Sequence, residues 1–221
     1  MGKKVSEGNW RFERKFSLSS FEFIQFEKQL MISDIQVLYP NRTINNCYFD
    51  TINHNAYEES IEGYSEKIKT RIRWYGDLFG IKTPTLELKI KQNQSNKKEL
   101  FKLFEVDIQK QIDWGNYSKK VINYLDSTHN LQLNEGLSPV LINTYKRAYY
   151  TNFRKSFRLT VDSDLKFISP KGTFKNNKPI TIERKIIELK FDNSELLTDF
   201  PLLSNLGKFS KFTTGIQLLN L

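Results

Sequence analysis

Between Glu66 and Gly76 the chain reads E-K-I-K-T-R-I-R-W-Y-G. Successive side chains of a strand point to opposite faces, so Lys67, Lys69, Arg71, Arg73 and Tyr75 fall on one side. Ile68, Thr70, Ile72 and Trp74 fall on the other. Same-face side chains of a strand lie about 6.6 Å apart, a repeat that suits a chain of phosphates. A helix would scatter these charges around its circumference, and the β-branched and aromatic residues between them favour a strand. Taken alone, the segment also reads as an edge strand that wears Lys and Arg for solubility. Repetition elsewhere in the chain argues for a shared charged surface.

The same two-faced pattern recurs. W-R-F-E-R-K-F from Trp10 puts Arg11, Glu13 and Lys15 on one side. Thr85 to Lys91 puts Glu87, Lys89 and Lys91 together, and Pro139 to Tyr150 aligns Asn143, Tyr145, Arg147 and Tyr149. Ser156 to Asp162 groups Ser156, Arg158, Thr160 and Asp162, while Ile182 to Phe191 sets Glu188 and Lys190 against Ile187, Leu189 and Phe191. A further strand is expected over Phe101 to Gln109, with Glu105 and Asp107 opposite Lys102, Phe104 and Val106. Such strands form either an open sheet with its charged face in water or a closed barrel with that face inside. Unpaired ions in a dry interior cost several kcal/mol each, so a closed interior must hold water, carboxylates such as Glu13, Glu87, Glu188 and Glu105, and a polyanion.

The elements that must position these faces are also legible. Ser19 or Ser20 can cap a helix running to about Ile32, with Phe23, Phe26, Glu27 and Leu30 at helical spacing. After Tyr39-Pro40-Asn41 a short strand is expected from Ile44 to Asp50, then a helical or turn region from Asn53 to Gly63. Asp50 reads as a turn former. Asn93 to Lys98 reads as loop, Asn116 to Gln132 as a helix with Val121, Tyr124, Leu125 and His129 on one stripe, and the stretch around Lys175-Asn176-Asn177 as a turn. Gly207-Lys208-Phe209-Ser210-Lys211 precedes a C-terminal helix that Ser210 would cap, which would place a helix N-terminus beside Lys208 and Lys211 at an anion site.

The 34 Lys and Arg against 25 Asp and Glu give a net charge of +9, which points to a polyanionic partner. One cysteine, Cys47, excludes an intrachain disulfide, and two histidines leave no Cys/His zinc site. A metal would be held by carboxylates, which selects Mg²⁺ or Mn²⁺. No apolar run approaches the ~18 residues that cross a bilayer, and no signal core follows the N-terminal lysines. A cytoplasmic, soluble, single-domain protein over residues 1–221 is expected.

R-F-E-R-K-F, Y-F-D-T with A-Y, K-T-R-I-R-W-Y-G, L-E-L-K, Y-K-R, R-L-T-V-D, I-E-L-K and G-K-F-S-K-F occur in that order over nearly the whole chain. Together they resemble the catalytic domain of the vacuolar transporter chaperone (VTC) family, polyphosphate polymerases of the CYTH-like triphosphate tunnel metalloenzyme superfamily, in the compact bacterial form. The resemblance implies an α+β fold: a closed eight-stranded antiparallel tunnel with helices packed outside, binding ATP and inorganic polyphosphate with Mn²⁺ or Mg²⁺. It implies that Lys15, Arg71, Arg73 and Lys89 contact phosphate, that Tyr145 and Arg147 form a Y-x-R pair, and that Lys208, Ser210 and Lys211 form a K-x-S-K element. Glu188, with Glu13, would hold the metal. Lys67, Lys69, Lys89, Lys91 and Arg158 exceed what a triphosphate and one metal need and suit an extended product.

Two other functions use the same residues. A triphosphatase on this tunnel would need a positioned water, for which Glu13 or Glu87 is available. A non-catalytic binder of polyphosphate or RNA would use the charge alone. Same-face glutamates would repel a nucleic acid backbone, so no nucleic acid partner is expected.

Overall fold

The computed structural model describes residues 12–32, 34–93, 95–109, 112–129, 131, 133, 136–171, 178–191 and 209–220. The first half contains β1 (Phe12–Leu18), α1 (Ser20–Ile32), β2 (Ile35–Asp50), α2 (Asn55–Ile61), β3 (Glu66–Tyr75), β4 (Gly80–Lys82), β5 (Thr85–Gln92), β6 (Ser95–Lys102) and β7 (Val106–Ile108). The second half contains α3 (Trp114–His129), β8 (Ser138–Asn152), β9 (Phe157–Ile168), β10 (Ile180–Ile182), β11 (Lys185–Phe191) and α4 (Lys211–Leu219).

Antiparallel pairing runs in the order β1-β11-β9-β8-β2-β3-β5-β6, with β10 added to β9, while β4 and β7 form a separate pair. The sheet has nine strands against the eight of the expected closed tunnel, and among the described residues no backbone ladder joins β6 back to β1. Closure by hydrogen bonding is therefore not observed. The sheet is nonetheless strongly curled. Six strand spacings separate β1 from β5 along the path, roughly 29 Å in a flat sheet. Yet Glu13 and Lys15 of β1 lie in electrostatic reach of Lys89 on β5. Charges that far apart across water would be screened.

Alternation sorts the sheet into a charged inner face and an apolar outer face. Phe16, Leu18, Leu159, Val161, Ile187, Leu189 and Phe191 bury one part of the outer face under Phe26 of α1. Ser19 and Glu22 start that helix as a capping box: the Glu22 amide donates to Ser19 Oγ at 3.3 Å, and the Ser19 amide donates to Glu22 Oε2 at 2.7 Å. Cys47, Phe49, Ile72, Trp74, Leu86, Leu88 and Ile142 bury the other part under Trp114, Tyr117, Val121 and Leu125 of α3. His129 packs edge-on against Phe101 and Tyr124. Asp50 is structural, as its position at a strand end suggests. Its carboxylate accepts from the amides of Thr51, Ala56 and Tyr57 at 2.8–3.0 Å and starts α2.

Several boundaries differ from the sequence reading. β2 runs straight through Pro40, because register shifts on both sides of Tyr39 place the proline where the ladder is already interrupted. The segment read as loop from Asn93 to Lys98 belongs largely to β6, which starts at Ser95, so Lys97 and Lys98 are strand residues. Phe101 to Gln109 is not one strand: β6 ends at Lys102 and β7 pairs with β4 instead. The chain also leaves the ladder at Glu183-Arg184 between β10 and β11, and β9 extends six residues past Asp162 to Ile168. The expected turn around Lys175 lies outside the described residues.

Helix α4 covers one end of the inner face. Phe212 stacks on Tyr48 with centroids 5.2 Å apart, and Ile216 joins Leu141, Phe167 and Ile186. All four sheet residues lie at the strand ends nearest Asp50. Gly215 makes the approach possible: a Cβ there would come within 2.5 Å of Leu141 Cδ2 and 2.7 Å of Phe167 Cδ1. Both neighbours are fully buried and have no room to swing away. Gly215→Ala should therefore destabilise the fold by about 1–3 kcal/mol through overpacking, read as a lowered urea midpoint. A wild-type midpoint would contradict this seating of α4.

Candidate functional site

The inner face is a lattice of ions. Glu87 on β5 lies at its centre: Arg71 donates from Nε at 2.7 Å and from Nη2 at 2.5 Å, while Arg73 Nη1 lies at 3.2 Å and Lys98 Nζ at 3.6 Å. Burial pushes the Glu87 carboxyl up, but the surrounding cations outweigh it and bring the pKa down to about 2. Arg71 also donates to Tyr48 Oη at 3.1 Å, and Arg73 donates from Nε to Asn46 Oδ1 at 2.9 Å. Asn46 in turn donates to Asn143 Oδ1 at 2.7 Å, tying β3, β2 and β8 together. These contacts fix two arginine forks in place without using all their donors.

A second group centres on Asp162, whose side chain is 1% exposed. Arg147 grips it through Nε at 2.6 Å and Nη2 at 2.8 Å, and Lys211 Nζ reaches it at 2.5 Å from the first turn of α4. The Tyr145 ring lies under both cations, 4.7 Å from Lys211 Nζ and 5.4 Å from the Arg147 guanidinium carbon. Burial raises the Tyr145 hydroxyl, but Arg147, Arg73 and Lys211 draw its pKa below the usual phenol value.

The third group brings Glu13 and Glu188 together. Lys15 pairs with Glu13 and lies 3.8 Å from Glu188, and Lys190 lies 3.4 Å from each carboxylate. Arg147 Nη2 is 3.9 Å from Glu188. Desolvation disfavours the Glu188 carboxylate, yet Lys15, Arg147, Lys190 and Lys211 hold its pKa well below the usual range.

Counting these groups together with Lys69, Lys89 and Arg158, the described residues of the face set the four carboxylates Glu13, Glu87, Asp162 and Glu188 against ten cations: Lys15, Lys69, Arg71, Arg73, Lys89, Lys98, Arg147, Arg158, Lys190 and Lys211. Lys69 and Lys89 form no salt bridge with any described residue. Lys69 shares space with Phe212, 5.4 Å from the ring centre. Burial, then Lys67, Lys89, Lys15 and Arg71, push its pKa down to about 8. Lys89 is exposed, yet partial desolvation and then the neighbouring Lys15 and Arg71 outweigh the attraction of Glu13 and Glu188, and its pKa is lowered too. Three buried polar atoms on the same face have no hydrogen-bond partner among the described residues: Asn143 Nδ2, Thr160 Oγ1 and Arg158 Nε. Surplus positive charge and unspent donors facing one another are what a polyanion with many oxygens satisfies.

The sequence profile of the VTC domain family matches residues 11–220. The protein belongs to the VTC domain family. Among solved structures, this VTC-domain chain is similar to a putative adenylate cyclase from Bacillus halodurans, at TM-score 0.52 and 18% identity over 93% of this chain and 95% of that one. That likeness shows the fold. A putative adenylate cyclase from Vibrio parahaemolyticus gives TM-score 0.48 and 11% identity, over 96% of this chain and 100% of that one. A putative adenylyl cyclase from Hippeastrum, described as having a dominant triphosphatase activity, gives 0.47 and 15% over 93% and 96%. A search of curated proteins found no match.

The VTC-domain structure brings most of the expected residues onto one face: Lys15, Lys69, Arg71, Arg73, Lys89, Tyr145, Arg147, Arg158, Lys211, Glu13 and Glu188. Ser210 caps α4, accepting from the Thr213 amide at 3.4 Å. Lys208 lies outside the described residues. Asp162 and Glu87 act as hubs, which strand alternation could place on the face but could not pair. Lys98 went unrecognised because its segment read as loop. For a divalent ion, no cluster of three or more candidate ligands occurs among the described residues. Glu13 and Glu188 do supply two adjacent carboxylates, the donor set with which Mg²⁺ or Mn²⁺ is bound jointly with substrate phosphates and water.

The Glu87 carboxylate stabilises the fold above the ordinary carboxyl pKa, and this contribution is lost as pH falls toward its lowered folded value. Glu87→Gln should therefore cost on the order of 3 kcal/mol near pH 7, and its deficit against wild type should shrink between pH 4.5 and 2. A deficit independent of pH in urea titrations would refute the ionic hub.

Proposed function

We propose that this chain is a metal-dependent polyphosphate polymerase of the cytoplasm, moving the γ-phosphoryl group of ATP onto the end of an inorganic polyphosphate chain. The observation that carries the reading is the unbalanced inner face, with Lys69 and Lys89 in no salt bridge among the described residues beside the fixed forks of Arg71, Arg73 and Arg147. In the transfer, a terminal oxygen of the acceptor bonds to the γ-phosphorus, the bond from that phosphorus to the β,γ-bridging oxygen breaks, and ADP leaves with the bond's electron pair. Little covalent work falls to the protein in such chemistry, so catalysis is positioning and charge stabilisation. Lys15, Arg71, Arg73, Arg147 and Lys211 are placed to hold phosphates in line, and Lys69, Lys89 and Arg158 to hold further units of the chain. A Mg²⁺ or Mn²⁺ ion at Glu13 and Glu188 would neutralise charge on non-bridging oxygens.

The acid–base character of the face supports transfer to phosphate over hydrolysis. A general base works best with a pKa near the working pH. The carboxyls of Glu13, Glu87, Asp162 and Glu188 are all shifted downward, and Glu87 is held by three cations. An acceptor phosphate is already anionic and needs no base.

With ATP and Mn²⁺ the protein should release ADP and build a phosphate polymer resolvable on a gel, and Glu188→Gln should bind ATP while losing metal-dependent turnover. Stoichiometric orthophosphate without polymer, even with a short polyphosphate primer, would assign the chain to the triphosphatases. Binding also has a pH signature. A bound phosphate restores the charge on Lys69, so above about pH 8 binding must take up a proton and wild-type affinity falls. Lys69→Arg, which stays charged, should lose less tripolyphosphate affinity than wild type between pH 7 and 9 by calorimetry. Equal losses would remove Lys69 from the phosphate path.

A further inference from the structure

At the end of the inner face opposite α4, three tyrosines surround one arginine. The Arg42 guanidinium carbon lies 6.0 Å from the ring centres of Tyr39 and Tyr75 and 5.9 Å from that of Tyr149. Tyr39 meets Tyr149 edge-on at 5.7 Å. Each element delivers its ring from the strand end away from Asp50: Tyr75 closes β3 two residues after Arg73, and Tyr149 follows Arg147 by two on β8. The row of cations therefore passes directly into a row of aromatics.

Tyr39 and Arg42 reach this cluster only because β2 is irregular. Residues three apart on a regular strand point to opposite faces. Here Tyr39 pairs with Tyr149 and Arg42 with Arg147, with a register shift between them that absorbs Pro40-Asn41 and turns both side chains inward. Bulges of this kind re-aim side chains beside functional sites. The rings are not core: Tyr39 is 47% and Tyr75 50% exposed. The guanidinium stands at the outer limit of cation–π distance from all three.

We propose that the Tyr39–Arg42–Tyr75–Tyr149 cluster is a stacking platform for the base of the nucleoside triphosphate whose phosphates occupy the cation face. This rests on the reading that a nucleotide's phosphates bind along Arg71, Arg73 and Arg147. A nucleotide then lies with its base at the tyrosine end and its phosphates running toward Lys69. Aromatic rings accept any base with little preference, because every base has a π face, so the platform tolerates guanine as well as adenine.

The test compares ATP, GTP and inorganic tripolyphosphate by calorimetry on wild type, Tyr75→Ala, Tyr75→Phe and Tyr39→Ala. Loss of a stacked base weakens binding roughly tenfold. Tyr75→Ala and Tyr39→Ala should each lose about that factor for ATP and GTP and none for tripolyphosphate, while Tyr75→Phe keeps wild-type affinity for all three. Retained tripolyphosphate binding also shows that the variants are folded. Equal losses for all ligands, or no loss for ATP, would overturn the platform while leaving the phosphate face standing. Failure of wild type to bind tripolyphosphate would overturn both. An RNA oligonucleotide without a triphosphate that displaces ATP through these tyrosines would reassign the cluster to single-stranded nucleic acid.

Discussion

Like charges crowded onto one face of a curled sheet repel each other, and the rest of this structure follows from how that repulsion is contained. The four inner carboxylates are spent on specific partners: Glu87 on Arg71, Arg73 and Lys98, Asp162 on Arg147 and Lys211, and Glu13 and Glu188 on Lys15 and Lys190. Among the described residues no carboxylate makes a salt bridge with Lys69 or Lys89; Glu13 and Glu188 attract Lys89 only from a distance, and the lowered pKa of each lysine records the cost of holding a charge there. Ion pairs of this kind add little net stability against their desolvation. Their effect is to fix the orientation of the Arg71, Arg73 and Arg147 guanidinium forks.

Such a face must be supported from behind. Two apolar clusters on the outer surface, one beneath α1 and one beneath α3, supply the burial that a charged inner face cannot. A third cluster seats α4 over one end, and the same helix delivers Lys211 to Asp162. Apolar packing and ionic pairing are thereby divided between the two sides of the sheet. In β3, Ile72 and Trp74 are core while Arg71 and Arg73 form the site.

That division is why so much was legible in the sequence. Alternation over Glu66 to Tyr75, Thr85 to Lys91 and Ile182 to Phe191 assigns each side chain to a face, and the structure keeps those assignments for the first two segments and, in the third, from Lys185 onward. Ser19 and Ser210 announced helix starts because capping is a local event. What alternation could not convey is anything set by register between distant strands. The pairing of Arg71 with Glu87 depends on β3 meeting β5, and that of Arg147 with Asp162 on β8 meeting β9. Pro40 misled for a related reason, since only the neighbouring strand reveals that the ladder is already shifted there. Curvature brings Lys15 of β1 toward Lys89 of β5, although ladder hydrogen bonds do not close the circle among the described residues. Closure is a property of the whole sheet that no single segment encodes.

VTC-family membership and an uncompensated cation face meet in one physical claim: the folded state is incomplete without a polyanion along its inner face. The most direct measurement is thermal unfolding at fixed ionic strength, with tripolyphosphate replacing chloride. A ligand that binds only the folded state stabilises it by about 2.7 kcal/mol at a hundredfold excess over its dissociation constant. The melting temperature should therefore climb steadily with tripolyphosphate, and the climb should be smaller in Lys69→Ala. A melting temperature that responds to tripolyphosphate no more than to the chloride it replaces would contradict the account.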